Sequence, residues 1–322
     1  MPVHPLVRRA LALAFGLLAA SASAQSFPDK PITLVVPFAP GASADGIARV
    51  IGRELSQLIG QQVLVENKAG GGGATGLIAV AKSAPDGYTI GLGATGAIAV
   101  NPHLPDAPPL NPETQLQPLA KLADIPLVIM AGANSGFGTL QGAIDKARSG
   151  EVSCGNSGQY TAQHLAAELL ASMAKAKLPS VPYRGSAPAV TDVLGGQTPL
   201  AVVDLTSAYP HVKSGGLKAL AVTSPARSKV APEIPTVAEA GVPGYSATAW
   251  MGLFLPKGVP APVVDKLSKD LRAVMAKPDV QARILALAAE PSFLDSGPFA
   301  GFINTESKKW AQVIASIPKP QK

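Results

Sequence analysis

Four short segments of this chain place small, polar and charged residues where a strand gives way to a helix. The first is Pro37-Phe38-Ala39-Pro40-Gly41-Ala42-Ser43-Ala44-Asp45. A helix N-terminus carries unpaired backbone N–H groups and a partial positive charge, so this junction suits a carboxylate. Phe38, Pro40, Gly41, Ala42 and Ser43 are candidate contacts, mainly through backbone. Asp45 either caps or charge-stabilises the helix start, or touches the ligand. The second segment is Ala69-Gly70-Gly71-Gly72-Gly73-Ala74-Thr75-Gly76. It lacks the lysine of a GxxxxGK[ST] phosphate loop, and no acid follows at the spacing of a dinucleotide fingerprint. It is either a flexible turn or a loop whose Gly72 and Gly73 let backbone approach a carboxylate or its bridging waters.

The third segment is Gly155-Asn156-Ser157-Gly158-Gln159-Tyr160-Thr161-Ala162-Gln163-His164. Ser157 and Thr161 can donate hydroxyl hydrogen bonds to an anion, and Thr161 can equally be an N-cap. Gly158 and Tyr160 lie between them. His164 falls in the first helical turn, where it is either structural or a ligand contact. One His near one Ser does not make a catalytic triad. The fourth segment is Pro182-Tyr183-Arg184-Gly185-Ser186-Ala187-Pro188. Arg184 either pairs with a distal carboxylate or stands on the surface. Tyr183 and Gly185 flank it. Asp204, ending an apolar strand, can take an ammonium or hydroxyl of a ligand, or satisfy loop N–H groups. Thr95, just past the third strand, completes the candidate set. No residue is assigned as catalytic, and no cofactor is expected.

The elements that must hold these junctions follow from periodicity. Ile32-Thr33-Leu34-Val35-Val36 is short, apolar and β-branched, which predicts a buried strand. Ile47, Val50, Ile51, Leu55, Leu58 and Ile59 share one helical face, and Gly60 ends that helix. Strands are predicted over 62–67 and 88–92, with a helix between them reaching about Ser83. Strand–helix–strand–helix–strand is the signature of a parallel, helix-covered sheet. Residues 101–118 read as an irregular, Pro-rich connection. Leu127-Val128-Ile129-Met130 is a strand near which the chain crosses to a second domain. There the pattern predicts helices over 139–147, 162–173 and 187–194, and strands at 152–154, 181–183, 200–204 and 217–222. From about Tyr245 the chain returns, with helices over 262–275, 280–288 and 298–317. The expected domains are a signal peptide over 1–24, lobe 1 over 25–124 and 246–322, and lobe 2 over 125–245. Two α/β lobes joined by two crossings make a hinged clamp, with the ligand cleft between them.

Residues 1–24 open with Arg8 and Arg9, continue as a short apolar run and close on Ala22-Ser23-Ala24. That is the pattern of a cleaved secretory signal, and the run is too short to span a bilayer. Cleavage near Ala24 and a periplasmic location are therefore expected. Removing those two arginines leaves 25 Lys and Arg against 21 Asp and Glu, a net charge of +4. A mild positive balance attracts an anion, and it is too scattered to argue for nucleic acid. Cys154 is the single cysteine, so no internal disulfide can form. The four histidines, His4, His103, His164 and His211, show no zinc spacing, and no metal is expected.

The four junctions and further motifs, taken in order, resemble the substrate-binding proteins of tripartite tricarboxylate transporters, also called the Bordetella uptake gene family. The matching segments include Phe27-Pro28-Asp29-Lys30-Pro31, Val36-Pro37-Phe38-Ala39-Pro40-Gly41, Val65-Glu66-Asn67-Lys68 and Pro85-Asp86-Gly87-Tyr88. His164-Leu165, Val181-Pro182-Tyr183-Arg184-Gly185, Leu220-Ala221-Val222-Thr223-Ser224, Trp250-Met251-Gly252 and Pro256-Lys257-Gly258-Val259-Pro260 continue the series. The resemblance implies a two-lobed Venus-flytrap fold of type II-like organisation. It implies a dicarboxylate, tricarboxylate, amino acid or aromatic acid as ligand, held by backbone and ordered waters between the loop before Asp45 and the loop of Ser157. A monomer that hands its ligand to membrane transporter subunits is the implied partner scheme. Two residues depart from the family pattern. Ala42 replaces a second glycine after Gly41, which restricts positive φ. Tyr160 replaces a glycine before the Ser/Thr that opens the next helix, which adds bulk and a hydroxyl at the cleft. Two other functions fit the same features: an extracytoplasmic sensor subunit for the same ligands, and an exported enzyme using Ser157 or Asp204 on a carboxylate or ester.

Overall fold

The computed structural model describes residues 27–104 and 107–316, so the expected signal peptide lies outside the described residues. The chain alternates as the apolar periodicity predicts: β1 (Ile32–Val36), α1 (Ser43–Ile59), β2 (Val63–Asn67), α2 (Ala74–Ala81) and β3 (Thr89–Ala94). β1 lies between β2 and β3 and pairs parallel with both. Ile47, Ile51 and Leu55 of α1 are fully buried against this sheet. Burial of each such side chain contributes roughly 1.5–3 kcal/mol. Gly60 ends α1 in the left-handed region, with its N–H on the Ser56 carbonyl. Buried Glu54, on the outer side of α1, pairs with Lys277 at 2.9 Å and Arg283 at 2.6 Å.

After β3 come a short helical passage, α3 (Pro112–Gln115) and β4 (Leu116–Ile125). Six strands complete the first sheet in the order β11 (Glu290–Asp295), β4, β10 (Ala249–Pro256), β3, β1, β2. The expectation of an irregular connection over 101–118 is therefore corrected at its end. Leu116, Gln117 and Pro118 already belong to β4, where Pro118 lies opposite Phe254. The sheet absorbs this proline at a register shift beside Phe254, a setting in which the missing donor is tolerated. β10 (Ala249–Pro256) is buried along its whole length and runs antiparallel between β3 and β4. Gly252 in its centre is fixed by close approach: a Cβ there would lie 2.3 Å from the Phe299 ring and 2.8 Å from the Ala120 carbonyl.

The second sheet has the order β7 (Ser180–Pro182), β6 (Cys154–Asn156), β8 (Leu200–Asp204), β5 (Leu127–Gly132), β9 (Leu217–Val222). Its elements run β5 (Leu127–Gly132), α4 (Leu140–Ser149), β6 (Cys154–Asn156), α5 (Ala162–Ala174), β7 (Ser180–Pro182), α6 (Ser186–Leu194), β8 (Leu200–Asp204), α7 (Leu205–Lys213) and β9 (Leu217–Val222). The strand expected at 152–154 falls instead at Cys154–Asn156. β6 pairs parallel with β7 and β8, so the chain ends of these strands share one edge. After β10 the chain adds α8 (Ala261–Met275), α9 (Pro278–Ala286), β11 (Glu290–Asp295) and α10 (Ser296–Ser316). Phe299 and Trp310 of α10 are fully buried, and Trp250 of β10 packs edge-on against Phe299. Both indole N–H groups, of Trp250 and Trp310, donate to the buried Glu306 carboxylate at 3.3 and 3.2 Å.

The chain passes between the sheets at Pro126 and again between β9 and β10. Thr223, which opens the second passage, bonds both to the strand that leaves the first passage and to the far end of its own. Thr223 N–H donates to the Leu127 carbonyl at 2.9 Å, and its hydroxyl donates to the Ala247 carbonyl at 2.5 Å. Ala247 N–H returns a bond to the Thr223 carbonyl at 2.9 Å. Thr223 is fully buried.

Candidate functional site

A cavity of about 690 Å³ lies between the two sheets, lined by residues of both. Its walls are the starts of helices that follow parallel strands, the edge where open α/β sheets place ligands. From the first lobe come Phe38, Gly41, Ala42, Ser43 and Ala44 at the start of α1, Gly71 and Gly72 before α2, and Thr95 and Gly96 after β3. From the second come Ser157, Tyr160, Thr161 and Gln163 at the start of α5, Arg184, Gly185 and Ser186 at the start of α6, and Asp204, Thr206 and Ser207 at the start of α7. Trp250 and Met251 of β10, with Leu104, Pro108 and Ile125, give the cavity a largely apolar body.

The loop into α1 is braced by charge. Asp45 receives the Gly41 N–H at 3.0 Å, Arg49 Nε at 2.9 Å and the Asn67 amide at 2.9 Å. Asn67 also donates to the Phe38 carbonyl at 3.1 Å. Burial of Asp45 opposes its ionisation, but the bonds from Arg49, Gly41 and Asn67 outweigh it and hold the carboxyl at about 2. Asp45 is only 4 % exposed and does not line the cavity. It shapes the loop from behind. Pro40, exposed, also lies off the cavity wall, as does Gly73, where an added Cβ would lie 3.4 Å from the Phe38 ring. Ala42 is the N-cap of α1 and offers no side-chain bond. The first N–H groups of a 17-residue helix therefore face the cavity with no cap. Ala42 has φ −68°, so alanine is at ease there and Gly41, at φ 82°, carries the turn. Thr95, beside this wall, is buried and accepts the Trp250 N–H at 2.9 Å.

The loop into α5 is built differently. Tyr160 has φ 62°, a left-handed conformation that costs a residue with a Cβ roughly 1–2 kcal/mol. Two contacts hold it there: its N–H donates to His164 Nδ1 at 3.1 Å, and its ring meets the imidazole edge-on at 5.8 Å. Because Nδ1 accepts, the imidazole proton belongs on Nε2, which faces Glu168 at 3.5 Å. His164 is thus a brace beneath the wall rather than part of it. Thr161 caps α5 by accepting the His164 N–H at 3.3 Å. It also lines the cavity, so both roles offered by the sequence meet in one residue. Gly158, at φ 130°, donates to Asn156 and lies behind the lining. Tyr183 is likewise removed from the cavity. Its hydroxyl bonds Asp192 and Thr198, each at 2.7 Å, and burial together with Asp192 raises its pKa, against a lowering by Thr198.

Asp204 and Arg184 are the only charged residues lining the cavity among the described residues. Arg184 is exposed and has no side-chain partner among the described residues. Asp204 accepts Gln163 Nε2 at 2.6 Å and Ser186 Oγ at 3.3 Å. Burial raises the Asp204 carboxyl above its ordinary value, and the bonds from Gln163 and Ser186 act against that rise. Ser157 shares a 2.7 Å bond with Ser186, and no imidazole is bonded to its hydroxyl. Residues that the motifs did not single out include Gln163, Ser186, Thr206, Ser207, Trp250 and Met251. Ser186, Thr206 and Ser207 follow the same strand-to-helix rule as the four segments and were findable by it. Trp250 and Met251 belong to a segment that carries the family resemblance, where no binding role was assigned to them.

A sequence profile described as the tripartite tricarboxylate transporter family receptor matches residues 47–318. A Pseudomonas protein described as UPF0065, from the tcbD-tcbE intergenic region, is 38 % identical over 314 residues, covering 95 % of this chain and 93 % of its own. Three solved structures share the fold at full length. The periplasmic binding protein BugD superposes with a TM-score of 0.80 at 34 % identity, over 90 % of this chain and 98 % of its own. Rpa4515 of R. palustris, solved with adipate, gives 0.81 at 30 % identity, over 90 % and 97 %. MatC of Rhodopseudomonas palustris, solved with malate, gives 0.78 at 28 % identity, over 89 % and 100 %.

Proposed function

The chain belongs to the tripartite tricarboxylate transporter receptor family, and from that premise we propose that it captures a small organic carboxylate in the periplasm for uptake through membrane transporter subunits. The observation that carries this reading is the convergence of helix starts from both lobes on one cavity, with α1 presenting uncapped N–H groups to it. Such a terminus favours an anion by its partial positive charge and its unmet donors. The ligand carboxylate lies against residues 41–44, reached by Gly72 and Thr95 from the same lobe and by Ser157 and Thr161 from the other. Arg184 stands at the edge to pair with a second carboxylate. Phe38 and Tyr160 cover the carbon skeleton. The malate and adipate of related structures are ligands of this chemical class.

The remaining features fit a carrier. The expected signal over 1–24, cut near Ala24, delivers the chain to the periplasm as a monomer. The lobes are 25–124 with 246–322, and 125–245, hinged at the bonded passages around Thr223. The chain acts by binding and not by catalysis: the Ser157 hydroxyl pairs with Ser186, and both His164 ring nitrogens are engaged away from it.

Thermal shift and calorimetry on purified protein with a panel of mono-, di- and tricarboxylates, amino acids and aromatic acids test the proposal. A true ligand at a hundred times its Kd raises stability by about 2.7 kcal/mol. Flat curves across the panel, with mass spectrometry showing no retained small molecule, would remove the reading.

A further inference from the structure

Asp204 ends β8 and stands at the N-cap position of α7, yet its side chain makes no capping bond to that helix. Aspartate there ordinarily turns back onto the first N–H groups. Here the carboxylate turns to the wall of the cavity, onto Gln163 and Ser186. An ionised carboxylate offers about four lone-pair positions, and two are met. No Lys or Arg of the described residues lies within ion-pair distance of it. The surrounding hydroxyls are fixed: Ser186 Oγ receives the Asp204 N–H at 3.3 Å and is held by Ser157 at 2.7 Å. The acid is therefore oriented, half-buried, facing the ligand space and without a counter-charge.

We infer that Asp204 selects the ligand by accepting a hydrogen bond from a hydroxyl or ammonium group on it, so that the preferred ligands are hydroxy- or amino-substituted carboxylates. This rests on the reading that a carboxylate binds at the α1 end. The two lobes then have opposite demands: unmet N–H groups at Ser43 and Ala44 of the first, an acceptor with no ion-pair partner at Asp204 of the second. A bare carboxylate brought to Asp204 would meet a like charge, whereas a hydroxyl or ammonium completes its bonding. Burial raises the Asp204 carboxyl, and a donating ligand group opposes that rise by favouring the charged form.

The test uses matched skeletons on the mature wild-type protein by calorimetry: succinate against malate and aspartate, and adipate against its 2-hydroxy and 2-amino forms. The expected result is binding at least about tenfold tighter for a donor-bearing member than for its parent, the range of one charge-assisted hydrogen bond. Asp204→Asn should shrink that ratio to about threefold or less, because the new amide offers a donor to the parent's second carboxylate. Parents binding as well as their substituted partners in the wild type overturns the inference and leaves carboxylate capture standing. A ratio that survives in Asp204→Asn, with an unchanged melting curve, also overturns it. Absence of binding by every compound overturns the carboxylate reading itself and the inference with it. The wild-type ratio decides the matter even where the variant does not fold.

Discussion

The loops into α1 and α5 do the same topological job and solve it in opposite ways. Each follows a sheet strand, enters a helix of the same cavity and contains a residue with positive φ. In the α1 loop that residue is Gly41, which needs no support, and the bracing charge of Asp45, Arg49 and Asn67 acts from behind. Its helix start is left uncapped. In the α5 loop positive φ falls on Gly158 and also on Tyr160, which His164 must hold, and Thr161 already caps the helix. The start of α1 keeps its N–H groups available, and the start of α5 gives one to its own cap. An anion should therefore be gripped asymmetrically, mainly by lobe 1.

Removing the brace of the first loop should have the largest effect. Asp45→Ala leaves Gly41 N–H and the Asn67 amide without their acceptor, and should cost about 3 kcal/mol in denaturant unfolding, with weakened ligand binding in calorimetry. The same carboxylate carries a pH signature. Its pKa is depressed from 3.8 to about 2, so its stabilisation is complete above pH 3.8 and fades as pH falls towards 2. A shift of that size corresponds to about 2.4 kcal/mol, absent from the acid limb of the variant's pH–stability curve.

Capping the open helix is the next test. Ala42→Asp supplies a carboxylate where the ligand's should lie, and its φ of −68° suits an N-cap residue. The free protein should gain up to about 1 kcal/mol while ligand affinity falls about a hundredfold. A stabilised variant that still binds normally would end the claim that α1 holds the anion. On the second loop the strain itself is the target. Tyr160→Val should cost about 2 kcal/mol in urea unfolding, because a β-branched residue fits the left-handed region badly. Tyr160→Asn, which tolerates that region, should cost clearly less. The smallest effect belongs to the existing cap: Thr161→Ala should lose about 1 kcal/mol of stability and change carboxylate affinity by less than its Ala42 counterpart.

Much of this arrangement was legible in the residues. The βαβαβ start, Gly60 as a helix stop and the strand-to-helix junctions all follow from local periodicity and turn chemistry. β10 did not, because an all-apolar strand inserted antiparallel between β3 and β4 depends on partners more than a hundred residues away. The start of β4 was hidden by Pro118, a residue that argues against a strand until the register shift is seen. Asp45, Tyr183 and His164 belong to the correct loops but support the wall from behind. Arg49 and Glu168 lie at helical i,i+4 spacing from Asp45 and His164, but partners such as Asn67 for Asp45 and Thr198 for Tyr183 come from other elements, and no spacing rule reports those.

The bonds at Thr223 bear on how force passes through the molecule. Two separate connections would let the lobes twist, slide or gape independently. Tied through Thr223, Leu127 and Ala247, the connections of the proposed clamp should act as one axle, with a torque on either strand shared by both. A molecule drawn in at the far rim of that clamp should then act through the longest available lever, as a swing about the axle instead of a shear across it.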